Sequence, residues 1–194
     1  MRAFLLVSCF LGCGASLNTT ARRPYGGAEL TLISTGARAV ASARGNLSPA
    51  SVVALPNVGD WLKDRWQAAS DMKGTPIPGE HWIQYWIEIG KRCTVEKAVL
   101  DWETARADDY EVQMDIDGIW VSLRLMRYSR DESVKQHVVD VLIRPATTPE
   151  PEQTSQVFRL LIRKPATKWG ASLWRFELWA DCEDAQSSAR GHEH

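Results

Sequence analysis

Residues 95–121 alternate apolar and polar side chains with a period of two, and that alternation confines this part of the chain to extended strands. In AVLDW, Ala98, Leu100 and Trp102 fall on one side of the backbone, and in DYEVQM the set Tyr110, Val112 and Met114 alternates with Glu111 and Gln113. Asp117-Gly118 follows, the pair that most readily takes the positive φ angles of a tight hairpin turn, and Ile119-Trp120-Val121 resumes the extended pattern. The stretch reads as two strands and the start of a third, with a β-hairpin at Asp117-Gly118.

The same period recurs downstream. YWIEIG and VVDVLI (138–143) read as strands; VFRLLIR puts Phe158, Leu160 and Ile162 inward with Arg159 and Arg163 facing water; LWRFELWA puts Trp174, Phe176 and Leu178 inward. Residues 71–82, with two prolines and two glycines, read as a surface loop, and 144–156 as a loop insertion too rich in proline for regular structure. No segment sustains a helical period and there is no internal repeat. About eight short antiparallel strands separated by turns predict an all-β fold, a jelly-roll β-sandwich.

A chain of 194 residues suits one domain with a substantial core. The domain is expected over 40–182, preceded by a signal peptide (1–16) and a flexible lead-in (17–39) and followed by a disordered tail (183–194). The N-terminal MRAFLLVSCFLGCGAS carries one arginine, an apolar run and then small residues suited to cleavage, which predicts a secreted, extracellular protein. A lipoprotein site at Cys9 or Cys13 fits poorly, because the apolar run would be truncated or the preceding residues bulky. Asn18-Thr19-Thr20 and Asn46-Leu47-Ser48 are glycosylation acceptors in a eukaryotic host.

Charge and motifs narrow the function. With 23 basic and 24 acidic residues the net charge is −1, which gives no electrostatic reason to expect nucleic acid or an anionic membrane as partner. No HExxH, CxxC, GxSxG or phosphate-binding glycine motif occurs, so no cofactor is expected. AVLDW and DYEVQM read as partners in a first hairpin, and the carboxylates Asp101, Glu103, Asp108 and Asp109 around its loop read as a solvated acidic loop rather than an acid/base pair. Nine tryptophans are many for this length; most fall in strands and are expected to fill a sandwich core.

LDWE, a short Ala/Asp-rich loop, DYEVQ, then DG with a Trp two residues on, resembles the middle of a coagulation factor 5/8 type C (discoidin-like) domain, whose galactose-binding-domain-like fold is shared with family 32 carbohydrate-binding modules. ASA at 41–43, WIEIG at 86–90 and FRLLIRKPATKWGASLWRFELWA at 158–180 fit the same pattern in order. The resemblance implies a non-catalytic, lectin-like module that binds a glycan or glycoconjugate through loops at one end. In the family those loops supply an aromatic, a His and an Arg; the matching loops here offer Trp61, Arg65, His81, Trp82, Arg106, Lys168 and Trp169. The alternative is an adhesion or phospholipid-surface-binding discoidin domain, suggested only by Met72-Lys73 and Ile77 in the 71–82 loop and lacking a basic cluster. An accessory fragment of an enzyme ranks third.

Two structural expectations accompany the resemblance. Cys93 and Cys182 are the cysteines left after signal cleavage, and family domains often close their ends with a disulfide, which predicts a Cys93–Cys182 bond; two buried free thiols are the alternative. Relatives also hold calcium between the loop before Trp66, itself expected in the core, and a Glu of the closing strand. Here that Glu position is Arg175, which predicts a salt bridge from Arg175 to Asp60 or Asp64 in place of the metal. The rival is Glu177 as the ligand, which requires the strand to slip.

Overall fold

A computed structural model describes residues 29–42, 48–56, 59–70, 73, 75–87, 93–132, 137–147 and 155–182. The signal segment, the first part of the lead-in, Asn18, Asn46, Met72, residues 88–90 of WIEIG and the tail from 183 lie outside the described residues.

Eleven strands are present among the described residues: β1 (Thr31–Leu32), β2 (Arg38–Ala41), β3 (Trp66–Gln67), β4 (His81–Trp86), β5 (Cys93–Trp102), β6 (Ala107–Ile116), β7 (Ile119–Ser122), β8 (Met126–Asp131), β9 (Val138–Ile143), β10 (Val157–Pro165) and β11 (Ser172–Cys182). They form two antiparallel sheets. One has the order β1-β11-β5-β9-β8, with β3 also paired to β11; the other has the order β2-β4-β10-β6-β7. This is the expected all-β sandwich, with more strands than expected because several are short.

Alternation fixes what faces inward. Ala98, Leu100 and Trp102 from β5, Val112 and Met114 from β6, Phe158, Leu160 and Ile162 from β10, and Phe176 and Leu178 from β11 are buried in one core with Trp66, Ile83 and Tyr85. Period two places every other side chain between the sheets, and the hydrophobic effect then holds the two faces together at about 25 cal/mol per Å² of apolar surface removed from water. A 3-10 turn at Ala50–Ala54 adds Val53 to this core. The hairpin forms as expected: Asp117 and Gly118 take φ of 52° and 85°, and the Asp115 carboxylate accepts the Gly118 N–H at 2.7 Å.

Three expectations are corrected. The lead-in is not uniformly irregular, since β1 pairs with β11 and β2 with β4. Strands β5 and β6 are not hairpin partners; they belong to opposite sheets, and residues 103–106 turn the corner between them. Trp174 is buried, but outside the core shared by Phe176 and Leu178. A bulge between Leu173 and Arg175 breaks the alternation, and the Trp174 ring stacks on His137 at 5.0 Å.

The core also encloses a charge. Asp140 of β9 is fully buried between the sheets and accepts hydrogen bonds from Trp102 Nε1 (3.1 Å), the Tyr110 hydroxyl (2.5 Å) and Arg130 Nε (2.8 Å). Burial, then the bond to Asp140, pushes the Tyr110 hydroxyl well above its ordinary pKa, so it remains a donor. The expected disulfide is present: Cys93 and Cys182 are register partners at the ends of β5 and β11, with Cα atoms 4.0 Å apart.

Candidate functional site

The register gathers several connections at one end. Trp102 pairs with Leu173 and Val138, His81 with Ile162, and Pro165 with Ala107, so residues 59–65, 68–70, 75–80, 103–106 and 166–171 all emerge beside one another. Loops cannot share a ladder, so other bonds join them. Ala68 N–H donates to Ala171 O, Ser172 N–H to Ala105 O, Glu103 N–H to Ser172 O and Ala166 N–H to Arg106 O. A Cβ on Gly170, whose φ is +83°, would meet Pro76 at 3.2 Å, so the 166–171 and 75–80 segments touch there.

The loop before β3 is self-contained. Asp64 accepts the Asp60 N–H at 2.9 Å, Asp60 accepts the Leu62 N–H at 2.9 Å, and Lys63 lies 3.1 Å from Asp60. Those contacts, Lys63 foremost, hold the Asp60 carboxyl below its ordinary pKa. The buried Ser48 hydroxyl donates to the carbonyls of Leu62 and Lys63. The tip that results presents Trp61 at 52 % and Leu62 at 66 % exposure.

Arg65 ties this loop to the closing strand. Its guanidinium is buried, donates to Trp61 O (2.8 Å), Gln67 Oε1 (2.9 Å) and Ser172 Oγ (2.6 Å), and lies 3.8 Å from the centre of the Trp61 ring. Ser172 Oγ in turn donates to Trp66 O at 3.1 Å. Burial lowers the Arg65 pKa while the nearby Glu103 carboxylate opposes the shift. One face of Trp61 is thus taken by a fixed cation and the ring is held standing into solvent.

The expected Arg175 bridge is corrected. Arg175 pairs with Asp101 (3.3 Å) and Glu177 (3.3 Å), not with Asp60 or Asp64, because the bulge in β11 sets it opposite Asp101 on the outer face of the sheet. Asp101 is itself buried and also bonds His137 Nδ1 at 2.9 Å, so it is not part of a solvated acidic loop. Glu177 accepts the Trp179 indole N–H at 3.0 Å besides pairing with Arg175. Among the described residues, no group of three His, Cys, Asp or Glu side chains is arranged to hold a metal ion. An arginine does join loop to strand, but it is Arg65, reaching Ser172 from the loop side.

The remaining expected residues divide. Lys168 and Trp169 sit on the 166–171 loop, with the Lys168 ammonium 5.4 Å from the Trp169 ring centre and Trp169 61 % exposed. Arg106 turns the 103–106 corner half-exposed, 3.9 Å from Asp108, with its Nε buried and unbonded among the described residues. Trp61, Arg65, Arg106, Lys168 and Trp169 therefore share one end. His81 opens β4 rather than lying in a loop; it is buried, its Nε2 3.1 Å from Ile77 O. Trp82 points outward from the five-stranded sheet, since Ile83 and Tyr85 point in. Leu62 was missed, although its place between Trp61 and Lys63 in a loop was visible in the sequence.

No family model matches the sequence, and no curated protein matches it. Solved structures do. The family 32 carbohydrate-binding module of NanJ from C. perfringens, solved with galactose, is 12 % identical over 77 % of this chain and 98 % of that one, with a TM-score of 0.51. A chain from the β-galactosidase BgaA of Streptococcus pneumoniae is 12 % identical over 78 % and 99 %, at 0.56. Chitosan-binding module 2 of a chitosanase/glucanase from Paenibacillus sp. IK-5, solved with chitotriose, is 20 % identical over 75 % and 98 %, at 0.50. At these identities the likeness is one of architecture, and it spans nearly the whole of each neighbour: this chain has the galactose-binding-like β-sandwich fold of carbohydrate-binding modules.

Proposed function

We propose that this protein is a secreted, non-catalytic, lectin-like module of the discoidin kind that binds a glycan or glycoconjugate at the loop end of its sandwich. The observation that carries the reading is the pair of exposed tryptophans, Trp61 and Trp169, presented on loops tied to the sheets by Arg65 and by backbone hydrogen bonds. Indole faces stack on the apolar faces of sugar rings, and Arg106, Lys168 and Glu103 stand at the same end to hold hydroxyls. Rigid support matters here, because a ring already fixed by a cation loses little freedom on binding. The fold neighbours that bind galactose and chitotriose support the same class of ligand. The reading includes no role for calcium.

One observation favours the phospholipid alternative. Trp61, Leu62 and Ile77 are exposed apolar residues at this end, and Lys63 and Lys168 lie beside them, which makes a tip able to enter a headgroup layer. A glycan array probed with the full chain, alongside co-sedimentation with phosphatidylserine-containing vesicles, separates the readings. Glycan spots lost in Trp169→Ala support the first; vesicle binding lost in Leu62→Ser, with a blank array, overturns it in favour of the second.

A further inference from the structure

The outer face of the five-stranded sheet carries a second constellation that the loop end does not use. Register places Val40, Gln84, Arg159, Gln113 and Ser122 in one row across all five strands. Strands about 4.8 Å apart make this row about 19 Å long, running from one edge strand to the other. Two residues along the strands on one side stand Trp86 and Trp120; on the other side stands Trp82. A polar floor between indole walls is a trough, and no described element packs over it.

Its chemistry points away from a protein or a polyanion. Arg159 donates to Gln113 Oε1 at 2.6 Å and stacks 4.1 Å over the Trp120 ring, and Gln113 donates to Glu111, whose charge also meets Arg163. Arg163 pairs with Glu111 and Arg159 stacks on Trp120, while Arg38 at the edge stacks 4.4 Å over the Trp86 ring without an acidic partner among the described residues; one such cation is too little to hold a charged polymer. The row is polar except for Val40 at one edge, which leaves no apolar middle for a protein interface. Four side chains, however, are only half-buried and make no side-chain hydrogen bond among the described residues: the Gln84 amide and the indole N–H groups of Trp82, Trp86 and Trp120. Elsewhere Trp102 donates to Asp140 and Trp179 to Glu177.

We propose that this trough binds an internal stretch of a neutral, linear polysaccharide. The tryptophans border the chain and Gln84 and Arg159 hold its hydroxyls, with the buried Gln113 fixing Arg159 from below; a row that reaches both edges lets the chain run on in both directions. This site is separate from the loop end and does not depend on the reading given there.

The test is affinity electrophoresis of the full chain in native gels containing konjac glucomannan, hydroxyethyl cellulose, arabinoxylan or laminarin, with polygalacturonate and heparin as acidic controls. At least one neutral polymer is expected to retard the protein. Gln84→Ala, which removes a half-buried amide outside the core, should weaken that retardation about tenfold, Trp82→Ala should abolish it, and Trp169→Ala should leave it unchanged. Retardation by acidic polymers alone, by none, or with wild-type strength in both Gln84→Ala and Trp82→Ala overturns the proposal. Loss in Trp169→Ala with both face variants intact assigns the polymer to the loop end and likewise overturns it.

Discussion

At one end of the sandwich the strands are closed by a covalent bond between Cys93 and Cys182 and by a two-residue turn at Asp117-Gly118. At the other end lie residues 68–70, 75–80, 103–106 and 166–171, irregular backbone held by Arg65, Ser48 and Ser172. The first end is fixed by local geometry and by few side chains: the cysteines, the turn pair with Asp115, and the buried Arg144, which donates to Val95 O. The second spends buried polar side chains to position exposed ones, and that is where the unpaired aromatic surface lies. Stability and recognition are therefore carried by different ends, and substitutions should separate them.

The largest effect is expected at the closed end. Replacing both cysteines by alanine removes a link spanning 89 residues and should lower stability by about 4.5 kcal/mol, read as a lower melting temperature, with glycan affinity unchanged while the protein remains folded. Next comes Arg65→Ala, which strips a buried guanidinium from Ser172 and Gln67; about 2 kcal/mol of stability should be lost together with glycan binding, and if binding survives the two ends are not distinguished as argued. Gly118→Ala places a side chain at φ +85° and should cost about 1 kcal/mol by denaturant titration, with no change in binding. Trp169→Ala should shift stability by less than about 0.5 kcal/mol yet weaken glycan binding about tenfold or more by calorimetry. Smallest of all, a chelator should move the melting temperature by less than about 1 °C, because Asp60, Asp64, Arg175 and Glu177 are already engaged by protein groups. A drop of several degrees would restore the metal to the loop end.

Much of the fold could be read from residues alone, and the reason is physical. A half-buried strand prints its period into the sequence, so β9 and the Asp117-Gly118 turn were legible to the residue, and β10 to within two residues of its end. The unread parts lack that print. Strand β8, MRYSRD, is an edge with most of its residues exposed, and β1 and β2 are too short to show alternation. Period two is also the same in either sheet, so nothing local said that β5 and β6 part company at residue 103. At the site, loop membership was legible for Trp61, Arg106 and Trp169, but direction was not. One bulge turned Arg175 toward Asp101, and the strand start reached back far enough to bury His81. Asp140 sat unnoticed within VVDVLI, because a carboxylate facing a core becomes intelligible only when Trp102, Tyr110 and Arg130 are seen to meet it.

Strand β11 sets the order in which this molecule can be made. It is hydrogen-bonded to β1, β3 and β5 at once, yet it follows all of them in the chain. While synthesis proceeds from the N-terminus, those three strands emerge long before the partner that unites them, and β5 with Leu100 and Trp102 has only β9 beside it. The six-stranded sheet therefore forms after translation of residue 182, and the late, sequence-distant pairing makes folding slow relative to a chain of neighbouring hairpins.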